Sequence, residues 1–203
     1  MSKQIKVLVS GFEPFGGASL NPSQLLVNSL KVNEIEGIEL SSVVLPVEFK
    51  RSAEKLLQKV SEVKPEVVIA FGQAEGRTAI TPERIAINLA DARIPDNSGD
   101  QPRNQLIDAN GDDGYFSTLP IEKMVEAIKS EGYPAEISLS AGAFLCNNIF
   151  YVLQKELKDT GVRSGFVHLP LITQQSSEFP EKFTMEREDM KRAAIAAIKA
   201  CVS

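Results

Sequence analysis

Histidine is nearly absent from this chain: one residue in 203, at His168. Cysteine is scarce too, with only Cys146 and Cys201, and tryptophan is missing. Each shortage excludes something. One imidazole and two distant thiols cannot build a structural zinc site. Two cysteines with no export signal argue against a disulfide scaffold and for free thiols in a reducing cytosol. Runs of Lys or Arg are also lacking, and the net charge is −5. That balance argues against nucleic acid or an anionic membrane as partner. The first apolar run breaks at Ser10-Gly11, too early for a signal-peptide core or a membrane span. Any chemistry needing an imidazole therefore has one candidate, and any chemistry needing a thiolate has two.

What is present reads as an ordinary globular composition, 43% hydrophobic and 24% charged. The length suits one sizeable core. Asp108, Asn110 and Asp112 have the first spacings of a calcium loop. Asp113 stands where the loop needs Gly, and Leu119 where it needs Glu, so the stretch reads as a polar turn.

Strands and helices alternate. Ile5 to Ser10, Leu40 to Val47, Glu66 to Phe71, Arg84 to Leu89, Glu136 to Leu139 and Gly165 to Leu169 read as strands. Helices are expected after Asn21-Pro22 to about Leu30, and from Lys50 to Val63. Further helices run from Pro120 to Ser130, Phe144 to Leu157 and Glu186 to Cys201. Asp91 to Thr118 is a long polar segment, of a kind usually functional or mobile. The pattern predicts a single-domain α/β/α sandwich over residues 1–203, with a mostly parallel, twisted central sheet.

In such sheets ligands bind beyond the carboxyl ends of the strands. The loop Gly11 to Gly17 follows the first strand, and Gly72-Gln73 follows the third. Cys146 opens a helix entered from a strand, where free N–H groups and the macrodipole favour a thiolate. His168 lies near the end of its own strand. Other readings stand beside these. Cys146 shares a helical stripe with Ile149, Phe150, Leu153 and Leu157, as a core thiol would. His168 can be structural, Glu83 a surface carboxylate, and Phe12 and Phe15 core residues. Cys201 reads as a packed thiol on the last helix. The loop from Gly11 lacks both phosphate-binding glycine spacings.

Several stretches taken together resemble the pyroglutamyl peptidase I family, the pyrrolidone-carboxylate peptidases. They are Gly11-Phe12-Glu13-Pro14-Phe15-Gly16, Ile80-Thr81-Pro82-Glu83-Arg84-Ile85-Ala86-Ile87-Asn88 and Asp91-Ala92-Arg93-Ile94-Pro95-Asp96-Asn97. Ser140-Ala141-Gly142-Ala143-Phe144-Leu145-Cys146-Asn147 and Gly165-Phe166-Val167-His168-Leu169-Pro170 complete the set. The likeness runs from the first strand to about Pro170, with the motifs in order. It implies a cytoplasmic cysteine peptidase acting on N-terminal pyroglutamyl peptides, without cofactor or metal, assembled as a homotetramer or dimer. It further implies Cys146 as nucleophile, His168 as base and Glu83 as the residue that orients it. Arg93 would support the oxyanion. Phe12 and Phe15 would flank the pyroglutamate ring, and Gln73 would belong to the lactam pocket. Glu75 departs from the small residue usual at its position, and could narrow the site, repel acidic peptides or point harmlessly to solvent. Two competing readings are a lactam-binding protein without catalysis and a phosphate-binding transferase.

Overall fold

The computed structural model describes residues 4–31 and 35–202; residues 1–3, 32–34 and 203 of the expected single domain lie outside them. The chain begins with β1 (Ile5–Phe12), α1 (Pro22–Leu30), β2 (Ile38–Leu45), α2 (Phe49–Val63) and β3 (Val67–Gln73). Then come β4 (Thr81–Pro82), β5 (Ile85–Ile87), β6 (Gly114–Phe116), α3 (Ile121–Ser130) and α4 (Leu145–Leu157). It continues through β7 (Arg163–Leu169), β8 (Leu171–Ile172), a 3₁₀ turn at Thr173–Gln175, β9 (Thr184–Met185) and α5 (Arg187–Ala200). Among the described residues no helix is long and apolar enough to cross a membrane.

The central sheet has the order β2-β1-β3-β7-β4. Its first four strands are parallel, and β4 runs antiparallel on the edge. Strands buried on both faces need apolar residues at successive positions. Val7, Leu8 and Val9 of β1 and Val67 to Phe71 of β3 meet that need, all fully buried. Alternation then divides them between two cores. Val7, Val9, Ile69 and Val167 face α1, α3 and α5. Leu8, Val68, Ala70 and Phe166 face α2 and α4. The result is the expected α/β/α sandwich. Because side chains repeat every second residue, His168 shares the face of Phe166 and looks toward α4. In register it sits between Gly72 of β3 and Thr81 of β4.

Local chemistry sets the ends of the elements. Asn21 caps α1, its Oδ1 accepting from Ser23 N at 3.0 Å, with Pro22 in the first turn. β3 runs two residues past Phe71, so Gly72 and Gln73 belong to the strand rather than to the loop after it. β1 likewise runs through Gly11 to Phe12.

Two expected strands differ from prediction. The Arg84 to Leu89 strand shrinks to β5 and leaves the central sheet to pair with β6. The Glu136 to Leu139 segment is extended but is not a regular strand. It lies beside β4, bonded through Ile80 N to Pro134 O, Glu136 N to Ile80 O, Ser138 N to Pro82 O and Arg84 N to Ser138 O. Pro82 has no N–H to continue that ladder, which leaves only isolated bridges. Cys146 is therefore entered from a turn after this segment, not directly from a strand.

The long segment after Asp91 is pinned at several points. The Asp96 carboxylate accepts from the backbone N–H of Phe49, Ser98 and Asp100, each at 2.9 Å. Burial alone would raise that carboxyl, and these bonds outweigh it and hold it below the usual range. Asn88 clasps the far side, donating to Asp108 O and accepting from Asp108 N.

Candidate active site

The carboxyl ends of β1, β3 and β7 open into a cleft of about 1090 Å³. Cys146, His168, Gln73, Phe15, Phe144 and Arg93 all line it. Cys146 stands in the first turn of α4. The residue before that helix, Phe144, is extended and offers no side-chain cap. Polar caps are preferred at such positions because the first N–H groups have no intrahelical acceptor. Asn148 N is the first to bond back, to Phe144 O at 3.1 Å. The N–H groups of Leu145, Cys146 and Asn147 precede it. An apolar residue at the cap thus leaves donors around the sulfur for something else to use.

His168 and Glu83 complete a line behind the thiol. Nδ1 of His168 donates to Oε1 of Glu83 at 2.7 Å, and both residues are buried. Burial alone would lower the imidazole. Charge attraction and hydrogen bonding with Cys146 outweigh it, Glu83 adds to them, and His168 is pushed up to about 9. Glu83 is fully buried, contrary to a lone surface carboxylate. Its position follows from β4, whose pairing with β7 continues through Glu83 N to Phe166 O at 2.9 Å.

A cation meets the same carboxylate. Nη2 of Arg77, 28% exposed, donates to Glu83 Oε1 at 3.2 Å, to Ser138 Oγ at 3.0 Å and to Ser140 O at 3.2 Å. One guanidinium nitrogen thus joins the carboxylate to the turn that leads into Cys146. Sequence reasoning missed this role. Its signal was a lone Arg between Gly76 and the apolar Ile80 stretch.

Gly72 explains how the sulfur fits over the sheet. A Cβ there would lie 2.6 Å from the Phe166 ring and 2.9 Å from Cys146 Sγ. The constraint is close approach rather than unusual backbone. Gly72→Ala is expected to fold with a loss of about 1–3 kcal/mol. Its displaced sulfur should cost on the order of 10²-fold in kcat. Denaturant titration and single-turnover kinetics check the two effects separately, and wild-type kcat would refute the packing argument.

The remaining expected residues divide. Phe15 borders the cleft and packs on Phe144 at 6.1 Å between ring centroids, and Phe144 meets Phe49 edge-on at 5.4 Å. Phe12 is buried against Phe166 and reaches only a narrower recess. That recess is shared with Phe15, Gln73, Phe144 and Cys146. Phe144 was not assigned from the sequence, although its place beside Cys146 on a helix start could have suggested it. Arg93 is exposed on the cleft wall. Asp91 N to Ala143 O at 2.8 Å ties its loop to the Cys146 turn. So the first residues of the long polar segment shape the cleft. Glu75 also lines it, with its carboxylate 3.5 Å from Lys182 Nζ. An exposed pair of this kind contributes little stability, but it offsets the charge expected to repel acidic peptides.

Cys201 lies apart from the cleft in the core under α5, fully buried, and burial pushes its thiol up to about 12. Both cysteines are free. Among the described residues, no three His, Cys, Asp or Glu side chains are grouped to hold a metal ion.

Comparison with known proteins meets this geometry. A family model described as pyroglutamyl peptidase matches residues 5–203. A pyrrolidone-carboxylate peptidase of Thermoanaerobacter sp. (strain X514) is 45% identical over 197 residues, covering 96% of this chain and 97% of that protein. One from Aliivibrio fischeri (strain MJ11) is also 45% identical over 197 residues, covering 97% and 92%. Among solved structures, the pyroglutamyl peptidase I of Bacillus amyloliquefaciens superposes with a TM-score of 0.94 at 40% identity, covering 98% and 96%. A variant of the pyrrolidone carboxyl peptidase of Pyrococcus furiosus gives 0.93 at 38%, covering 98% of each chain.

Proposed function

The chain belongs to the pyroglutamyl peptidase family, and on that premise we propose that it removes N-terminal pyroglutamate from peptides with Cys146, His168 and Glu83. The observation that carries this reading is the line from the buried Glu83 through His168 to a thiol at an uncapped helix start. The Cys146 thiolate attacks the carbonyl carbon of the pyroglutamyl residue. N–H groups at the start of α4, with Arg93, receive the charge that develops on its oxygen. His168 gives its proton to the departing amine as the C–N bond breaks, leaving a thioester. Water then attacks the thioester, His168 takes a proton from it, and free pyroglutamate leaves. Glu83 holds Nδ1–H throughout and stabilises the imidazolium.

Selectivity follows from the recess. Pyroglutamate is a neutral ring, which Phe15 and Phe144 can flank above the floor made by Phe12. An uncyclised glutamyl residue would bring an ammonium and a carboxylate into the same space, where unpaired charges are costly. Pyroglutamyl-aminomethylcoumarin is therefore expected to release its fluorophore. Glutamyl-aminomethylcoumarin should do so on the order of 10³-fold more slowly in kcat/KM, or worse. Comparable rates would refute the recess as the lactam site. No turnover by reduced protein would refute the peptidase and favour the binding-only reading. By the same family likeness we propose one catalytic unit over residues 1–203, a cytoplasmic location, and a homotetramer or dimer.

A further inference from the structure

Gln175 closes the 3₁₀ turn at Thr173–Gln175, directly after β8, and is fully buried. Its side chain makes three hydrogen bonds, and their polarity is forced. Ile172 N can only donate, so the atom facing it at 3.1 Å is Gln175 Oε1. The other end must then be Nε2. It donates to the Leu20 carbonyl at 3.4 Å, which can only accept. It donates also to Gln73 at 3.0 Å, so the facing atom of Gln73 is Oε1. Amide orientation is ordinarily an open choice, and here two backbone groups settle it. Gln73 is left with one free end, its N–H₂, and it borders both the cleft and the recess beside Cys146.

Resting on the reading of this cleft as a pyroglutamyl site, we propose that Gln175 is a positioning residue for lactam selection, turning the Gln73 amide so that it offers a donor, not an acceptor, to the ring carbonyl. The ring carbonyl is what separates pyroglutamate from a plain pyrrolidine ring. A donor fixed opposite it rewards the lactam. An acceptor in its place would set two oxygens against each other and leave both unpaired. The orientation is relayed from the chain itself, through Ile172 N to Gln175 and on to Gln73. It therefore needs no rearrangement when substrate arrives.

Two substitutions separate orientation from bracing. Gln175→Glu keeps an acceptor for Ile172 N and removes the donor to Gln73. Gln73 can then satisfy the new carboxylate only by turning its N–H₂ toward it, which presents Oε1 to the lactam. Gln175→Met removes all three bonds but imposes no orientation. The probe is 2-pyrrolidone, a neutral five-membered lactam, read by its protection of Cys146 against iodoacetamide, so that no turnover is required. Gln175→Glu is expected to weaken protection on the order of 10- to 100-fold. Gln175→Met should weaken it by only about a fewfold. Lowering the pH until the introduced carboxyl protonates restores a donor, and with it the protection. A purely structural role makes Gln175→Met the more damaging change, and that order of effects overturns the proposal. Unchanged protection in both variants also overturns it. Should Gln175→Glu fail to fold, Gln73→Glu provides the same test, since it accepts from Gln175 and has no outward donor. Equal loss supports the orientation, and retained protection overturns it. Failure of wild-type protein to hydrolyse pyroglutamyl-aminomethylcoumarin while 2-pyrrolidone still protects Cys146 rejects the peptidase reading and leaves the oriented pocket standing. Absence of protection in wild type rejects the pocket.

Discussion

Cys146→Ser is expected to remove turnover of pyroglutamyl-aminomethylcoumarin by on the order of 10⁴- to 10⁶-fold while leaving the fold intact. The size follows from what the thiol supplies. A serine hydroxyl at the start of α4 keeps the volume and the hydrogen-bonding reach. It does not ionise near neutral pH, so the imidazolium at His168 loses the partner that does most to raise it. Folding should survive because Cys146 is only partly buried and takes part in no disulfide. Iodoacetamide gives the same result by another route. Cys201 is closed off in the core and pushed up to about 12, so it stays unmodified until the protein unfolds. Peptide mass mapping should find one carbamidomethyl group, on Cys146, when activity is gone. Activity that survives Cys146→Ser, or that falls only as Cys201 is modified, would overturn the assignment.

How much of this was legible beforehand depends on the range of the forces involved. β1 and β3 announce themselves, because a strand buried on both faces needs a continuous apolar run, and Val7 to Val9 and Val67 to Phe71 supply one. Helices α1 to α5 follow from periodicity and from local chemistry such as the Asn21-Pro22 start. Where partners come from far along the chain, local pattern fails. Nothing near Ile85 says that it pairs with Phe116 instead of joining the central sheet. Pro82 interrupts a ladder whose other half lies more than fifty residues away, so the segment at Glu136 looked like a strand and is not one. The site divides in the same way. The family motifs marked Glu83, Cys146 and His168, and the fold brings them together. Arg77 was not legible, because its three acceptors belong to Glu83, Ser138 and Ser140. Nor was Gln175, whose meaning depends on which end of an amide faces Ile172 and Gln73.

Glu83→Gln should be nearly as damaging as loss of the nucleophile, for a different reason. The substitution preserves shape and can still bond to Nδ1. It no longer demands a donor there, because an amide offers an N–H₂ as readily as a carbonyl. The imidazole tautomer is then free to change, and no negative charge balances the imidazolium, so kcat is expected to fall by about 10³- to 10⁴-fold. The lone histidine makes the cause measurable, since proton NMR of this protein contains a single imidazole Cε1–H resonance to follow. In the wild type its midpoint should lie at about 9. Burial pulls that value down, and Cys146 and then Glu83 push it up. Removing the Glu83 charge therefore moves the midpoint lower. The sign carries into catalysis. The leaving amine needs a protonated His168, so the alkaline limb of kcat/KM falls as pH rises through the midpoint, and in Glu83→Gln it falls at lower pH. Arg77 loses its carboxylate partner but keeps Ser138 and Ser140, which limits the cost in stability to about 1–3 kcal/mol. A midpoint that stays near 9 in Glu83→Gln, with kcat close to wild type, would mean that Glu83 packs beside the imidazole without orienting it.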